Sequence, residues 1–390
     1  MYKTSALLAG TIFLSGAAFA AMTPYRAVAG VEILGLSNAG FGLIMGLSAV
    51  VSAFTAVALG WLSDRVTDRR VILLLCAAMG ILAFGLVWVF QTPLVFAAAF
   101  VFLVPFGSAL FSQSFSFSRT FFDRERPDKS QFIMSFLRAG FTLAWIIVPP
   151  FAGWLAANGS AFSTFGFAAL AHLGCTITVG LLWTQSSAAM GAAPIAAQNG
   201  GPIDRPKVSN SHKLGIAGIA LALSALQLNM VSLPMLIVRE LSGSMAQVGI
   251  AASLAAAIEV PAMILWGYLA LRMDKELILA IAAGFFALYF GFAFTAETFS
   301  QILIAQGFAA IAISALLSIN IAYLQEAIPG RIGLSTSLVD VTRVLSVWIA
   351  AAVFSMNPGT TYAPLMAVAG GLCLVAIVLL LAALGLRRAV

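Results

Sequence analysis

Apolar residues occur along this chain in long stretches that are separated by short polar segments. Each of twelve stretches holds about 18 or more residues with few or no charges, which is the length that a helix needs to cross the hydrocarbon core of a bilayer. The predicted helices cover residues 4–30, 39–61, 71–90, 94–117, 132–155, 162–184, 214–238, 247–270, 276–296, 300–325, 333–355 and 362–386. The pattern therefore predicts an all-α membrane protein with twelve transmembrane helices.

A polar segment at residues 185–213, rich in Gly, Pro and Asn, is the only long stretch unsuited to hydrocarbon. It predicts a cytoplasmic linker between an N-terminal six-helix bundle, residues 1–184, and a C-terminal one, residues 214–390. The halves also repeat, because Gly60-Trp-Leu-Ser-Asp-Arg follows the second helix and Gly267-Tyr-Leu-Ala-Leu-Arg follows the eighth. Two pseudo-symmetric six-helix bundles, with a solute site near the bilayer midplane, are a known plan of secondary transporters.

The first 22 residues allow two interpretations. Lys3, an apolar run and the small residues around Ala20 together resemble a cleavable secretory signal peptide. Alternatively, the run is a first transmembrane helix that continues towards Gly30. Cleavage would leave the first bundle one helix short of its repeat, so we favour the retained helix.

The composition indicates that lipid is the main solvent of this chain. Hydrophobic residues make up 62% of it and charged residues 9%, whereas soluble proteins carry roughly 25% charged residues. The net charge of +6 does not require nucleic acid, because sixteen of the 20 Lys and Arg residues fall on one side of the predicted topology. This bias predicts a multi-pass protein of the bacterial inner membrane with both termini cytoplasmic. Arg26 and Arg239 fall on the opposite side.

A basic motif follows the second predicted helix and contains Gly60, Asp64, Arg65, Arg69 and Arg70. It resembles the loop 2–3 signature of the major facilitator superfamily, which implies the major facilitator fold and a cytoplasmic gate. In such a gate, the Asp64 carboxylate would interact with the positive N-terminal end of the eleventh helix. The alternative is a basic loop that only fixes the orientation of the chain.

Several further segments resemble the bacterial sugar efflux transporter family, and they occur in the family's order along most of the chain. They are Phe111-Ser-Gln113, Ser135-Phe-Leu-Arg138, Leu143–Pro150, Glu259–Tyr268 and Gln325–Arg331. The resemblance implies export of sugars or related glycosides in exchange for protons.

Four charged residues fall within predicted spans: Arg138, Glu259, Asp340 and Arg343. An unpaired charge at mid-bilayer costs several kcal/mol, so each is a candidate functional residue. The fifth and eighth helices are neighbours in the major facilitator arrangement, so we predict an Arg138–Glu259 ion pair that couples protons to solute. The alternative is a static ion pair.

The other two charges, Asp340 and Arg343, are three residues apart and share a helix face. They either neutralise each other or provide a second proton site at Asp340. In the repeat, Asp340 stands at the position equivalent to Arg138.

Sugar binding needs hydrogen-bonding groups and an aromatic face. Arg138, Thr142 and Trp145 form one stripe on the fifth helix, and Glu259 adds a carboxylate from the eighth, where Trp266 could line the cavity or pack at an interface. Amide side chains on the fourth, seventh and tenth helices could bind solute or, equally, join helices. The full predicted substrate-binding set is Gln113, Arg138, Thr142, Trp145, Gln227, Asn229, Glu259 and Asn320.

The sequence contains no P-loop, no Cys/His metal motif and no nucleophile elbow, so we expect no metal, no cofactor and no enzymatic activity. We predict a monomeric secondary active transporter that exports a sugar or similar small polar solute by proton antiport with alternating access. Its partners would be the solute, protons and membrane lipids. Two alternatives are an exporter of drug-like amphipathic compounds and a solute sensor that does not transport.

Overall fold

A computed structural model describes residues 2–63, 65–185, 208–327 and 332–389, and for residues 332–337 it describes the backbone alone. Most of the predicted linker and the gate residue Asp64 therefore lie outside the described residues. Twelve described helices are long and apolar enough to cross a membrane. They are α1 Tyr2–Tyr25, α2 Asn38–Ser63, α3 Arg70–Phe90, α4 Pro93–Glu125, α5 Ser130–Asn158, α6 Phe162–Thr184, α7 Asn210–Glu240, α8 Met245–Leu269, α9 Lys275–Phe294, α10 Phe299–Glu326, α11 Ile332–Ser355 and α12 Ala363–Arg388. The predicted all-α class and the twelve spans are confirmed.

The first helix of each half ends in the same way. Beyond Tyr25 the chain of α1 stays helical and passes through a π turn at Val28–Ile33, while α7 closes with a π turn at Leu236–Glu240. Each is followed by a residue with positive φ, Gly35 and Ser242, and these are separated by the same 207 residues as Gly60 and Gly267. The repeat therefore extends from sequence to backbone conformation.

The contacts divide the chain into two compact units. Unit 1 consists of residues 1–35 and 47–199, and unit 2 of residues 36–46 and 200–390. Within unit 1, α1 packs against α5 and α6, and α3 packs against α4 and α6. Within unit 2, α7 packs against α11 and α12, and α9 packs against α10 and α12. The same four pairings thus occur in both units.

The beginning of α2 belongs to unit 2, whereas the sequence predicted one unbroken N-terminal block. The Asn38 amide donates a hydrogen bond to the backbone oxygen of Asn357 at 3.1 Å, and its oxygen accepts one from the Tyr362 hydroxyl at 3.3 Å. Gly42 lies so close to α11 that a Cβ atom there would overlap Ser355 and approach the backbone oxygen of Ala351. Polar bonds and close backbone packing therefore hold residues 36–46 in unit 2.

A fully buried histidine packs in the core of unit 1. The imidazole of His172 on α6 lies against Gly80 of α3, where a Cβ atom would overlap the ring. Its Nδ1 is 3.0 Å from the backbone oxygen of Ala168, and the Phe84 ring packs beside it with centroids 5.3 Å apart. This glycine position permits α3 and α6 to pack around a side chain that would otherwise not fit.

We expect Gly80→Ala to destabilise the protein by about 1–3 kcal/mol, because the added methyl group must displace the imidazole in a filled core. Gly85→Ala is the matched control on the same helix, since nothing lies within 4 Å of a Cβ atom there. Alanine is the better helix former, so the control should be neutral or slightly stabilising. Thermal unfolding of both purified variants in detergent measures the difference, and equal unfolding temperatures would contradict the packing account.

Candidate functional site

The helix α5 presents two different faces outside its buried one. One face carries large apolar side chains that are exposed, as expected for contact with lipid. These are Phe132, Phe136, Leu143, Ile147 and Phe151. The adjacent face carries polar side chains at the same helical spacing, and we call it the polar stripe: Gln131, Ser135, Arg138, Thr142 and Trp145. Because polar groups are costly against lipid, this division indicates that the polar stripe borders a water-filled path.

Arg138 lies in the middle of the polar stripe. Its side chain is exposed, and the guanidinium carbon is 5.7 Å from the ring centroid of Phe115 on α4. Among the described residues of unit 1, no carboxylate lies within ion-pair distance of it. The Thr142 hydroxyl donates to the Arg138 backbone oxygen at 3.3 Å, and Trp145 is half-buried. The predicted alignment of Arg138, Thr142 and Trp145 on one face is thus present.

Glu259 lies half-buried on α8 in unit 2. Among the described residues of this unit, no Lys, Arg or His lies within ion-pair distance of its carboxylate. One turn and a half further along α8, Trp266 is buried and its indole nitrogen donates to the Ile311 backbone oxygen at 2.9 Å. Trp266 therefore packs at a helix interface, whereas Glu259 has an unpaired charge within its unit.

The four predicted amides differ in their surroundings. The Asn229 oxygen accepts a hydrogen bond from the Tyr289 hydroxyl at 2.8 Å, which joins α7 to α9. This bond favours the helix-joining alternative for Asn229. The Asn320 oxygen on α10 is buried without a hydrogen-bond partner in the described part of the chain, and Gln113 and Gln227 are half-buried. Asn320 remains the amide with the most evident unused bonding capacity.

Other charges near the helix ends are compensated locally. Asp340 and Arg343 on α11 lie 3.9 Å apart, as one of the two alternatives predicted. The Glu240 carboxylate at the end of α7 accepts hydrogen bonds from the backbone nitrogens of Tyr362 and Ala363, where α12 begins. A carboxylate at a helix N-terminus is stabilised by the helix dipole.

The basic loop between α2 and α3 is held by contacts within unit 1. Arg70 is buried, forms an ion pair with Asp68 at 2.7 Å and donates to the Leu182 backbone oxygen at 2.8 Å. Arg69 donates to hydroxyls of Ser116 and Thr120 on α4, at 3.0 and 3.2 Å. The motif therefore anchors the loop to the ends of α4 and α6.

The remaining predicted gate residues have fewer contacts. Arg65 stacks on Trp61, with its guanidinium carbon 3.8 Å from the ring centroid, and Gly60 has open space around it.

Asp68 is a functional residue of this loop that the sequence pattern did not single out. Partial burial disfavours its charged form, but the hydrogen bonds and charge of Arg70 outweigh this effect and hold the pKa of Asp68 below its usual value. Only the spacing of an acid two residues before an arginine could have suggested the pair.

Comparisons with known proteins identify the class of this protein. Residues 6–214 match the sequence profile of the Major Facilitator Superfamily, and the chain therefore belongs to that family. In solved structures, a peptide transporter in complex with sulfate is similar at a TM-score of 0.79, with 13% identity over 97% of this chain and 94% of that one. The nucleoside transporter NupG is similar at a TM-score of 0.77, with 12% identity over 97% of this chain and 99% of that one. At these identities the similarity shows the fold alone.

Sequence relatives are closer. The chain is 29% identical to "Sugar efflux transporter B" of Salmonella typhimurium over 84% of this chain and 81% of that protein. It is 30% identical to "Sugar efflux transporter A" of Dickeya chrysanthemi over 78% of this chain and 76% of that protein, and 28% identical to "Sugar efflux transporter C" of Escherichia coli over 86% and 84%. The resemblance to the sugar efflux transporter family is confirmed, and the protein is a multi-pass membrane transporter rather than an enzyme.

Proposed function

We propose that this protein is a secondary active transporter that exports a sugar or similar small polar solute in exchange for protons, by alternating access. The observation that carries the proposal is the polar stripe of α5, which lies beside an apolar, lipid-type face in a membrane-spanning helix. The names of the sequence relatives support sugar as the solute class and export as the direction.

The polar stripe has the chemistry that sugar recognition requires. A sugar presents hydroxyls in a plane and an apolar C–H face, so its site needs charged or polar hydrogen-bonding groups next to an aromatic ring. Arg138 offers up to five N–H donors, and Trp145, two turns further along the same face, offers the ring. Gln113 and Asn320 are proposed as additional hydrogen-bonding partners.

We infer that proton coupling depends on an ion pair between Arg138 and Glu259. Each charge lacks a partner of opposite sign among the described residues of its own unit, and an unpaired charge in hydrocarbon costs several kcal/mol. Protonation of Glu259 would release Arg138 to bind the hydroxyls of the solute. A static ion pair is the competing explanation, and it predicts no effect of Glu259 on the proton requirement.

The chain is proposed to reside in the bacterial inner membrane as a monomer with both termini cytoplasmic, in contact with lipids and protons. The distribution of Lys and Arg supports this orientation. Arg26 no longer counts against it, because α1 remains helical beyond that residue.

Transport assays in proteoliposomes test the proposed function. We expect a pH gradient to drive accumulation of at least one radiolabelled sugar, and we expect that sugar to undergo counterflow without a gradient. The stacked rings of Phe111 and Phe141 beside the polar stripe, with centroids 4.2 Å apart, favour amphipathic compounds as the second candidate class. Drug flux without sugar flux would therefore replace the proposal with that one. Binding of a solute without any flux would indicate a sensor.

We expect Glu259→Gln to reduce pH-driven accumulation by about tenfold or more while counterflow persists, because the variant cannot exchange a proton at this position. Asp340→Asn is the matched control, since that carboxylate has a local partner in Arg343 and should keep its coupling. Initial rates with and without a pH gradient measure both. Normal accumulation by Glu259→Gln together with loss in Asp340→Asn would move the proton site to α11.

A further inference from the structure

Arg26 lies inside the helical part of α1, although the charge pattern alone placed it on the outer side of the membrane. The π turn that follows it extends to Ile33, and Leu34 caps the helix. Eight residues separate Arg26 from this cap, so it lies about 12 Å along the helix from that end. It is therefore a further charge at membrane depth.

The guanidinium of Arg26 is not compensated by its own unit. Its Nε atom is buried and has no hydrogen-bond partner among the residues that the structure describes. No carboxylate of the described part of unit 1 lies within ion-pair distance of Arg26. Because arginine stays protonated in proteins, the side chain cannot escape the cost of burial by losing its charge. Some other acceptor must satisfy it.

The repeat shows which side of α1 carries this residue. Residues 21–31 and 228–238 have the same sequence of buried and partly exposed positions, so Arg26 corresponds to Leu233 of α7. Thr23 and Arg26 are partly exposed, three residues apart and on one face, between positions that are buried. An arginine directed at lipid would be costly, so this partly open face is most simply a border of the solute path.

A hydrogen bond places this face near the polar stripe of α5. The hydroxyl of Tyr25, the residue before Arg26, donates to the backbone oxygen of Pro149 at 3.0 Å. Pro149 continues the polar stripe one turn beyond Trp145. Unit 1 thus carries two cations without an acidic partner in that unit, Arg26 and Arg138, at membrane depth. A single carboxylate such as Glu259 could neutralise only one of them.

We propose that Arg26 binds an oxyanion of the transported solute, a carboxylate or a phosphate on a sugar, and that the protein therefore prefers acidic sugars to neutral ones. The proposal rests on the proposed function of sugar export and names its substrate class. The planar guanidinium matches both oxyanions with two parallel hydrogen bonds. The equivalent Leu233 offers no such group, so the anion would be held by unit 1.

Counterflow in proteoliposomes with galactose, galacturonate and galactose 6-phosphate tests the proposal. For the wild-type protein we expect one of the two acidic sugars to exceed galactose by about tenfold in initial rate, and the better of the two distinguishes carboxylate from phosphate. In Arg26→Gln the ratio of acidic to neutral flux should fall by about tenfold, and Arg26→Lys should keep part of it, because a point charge remains. Leu233→Gln is the matched control at the equivalent position of α7 and should keep the wild-type ratio.

The wild-type measurement does not depend on how the variants fold. Equal rates for neutral and acidic sugars would overturn the role of Arg26 and leave sugar transport intact. An unchanged ratio in Arg26→Gln would overturn it as well. Absence of flux for all three sugars would instead contradict the proposed function.

Discussion

The free energy of an uncompensated charge in hydrocarbon is the constraint on which the organisation of this protein depends. Where a charge lies at a helix end or in a loop, a partner in the same unit compensates it, as Arg70 does for Asp68. Arg26, Arg138 and Glu259 lie in spans and have no such partner among the described residues of their own units. A solute or a charge from elsewhere must satisfy them, which is why they are the best candidates for function.

The internal repeat provides the scaffold, and departures from it provide the chemistry. The helix pairings, the π turns and the positive-φ residues recur in both units, so the backbone is nearly symmetric. The side chains are not. Arg26 corresponds to Leu233, and the unpaired Arg138 corresponds to Asp340, which Arg343 compensates locally. Only unit 1 therefore carries cations that are free to bind an acceptor-rich solute.

Sequence alone could predict the number and order of the helices, because apolar runs report directly on which residues cross a bilayer. It could not predict the helix ends: α4 continues to Glu125, past its predicted end at residue 117, since a helix can leave the hydrocarbon and remain helical. The same limit hid the depth of Arg26. The polar stripe of α5 follows from spacing, but the bond between Asn229 and Tyr289 joins residues from different helices, on which periodicity carries no information.

The central claim is that Arg138 and Glu259 compensate each other when no solute is bound. A double-mutant cycle with Arg138→Gln, Glu259→Gln and the double variant, measured as the free energy of unfolding in detergent, tests it most directly. The account predicts that each single variant is destabilised because it leaves a charge unpaired, and that the double variant recovers more than about 1 kcal/mol of the summed loss. Additivity within about 0.5 kcal/mol would contradict it, because independent residues give that result.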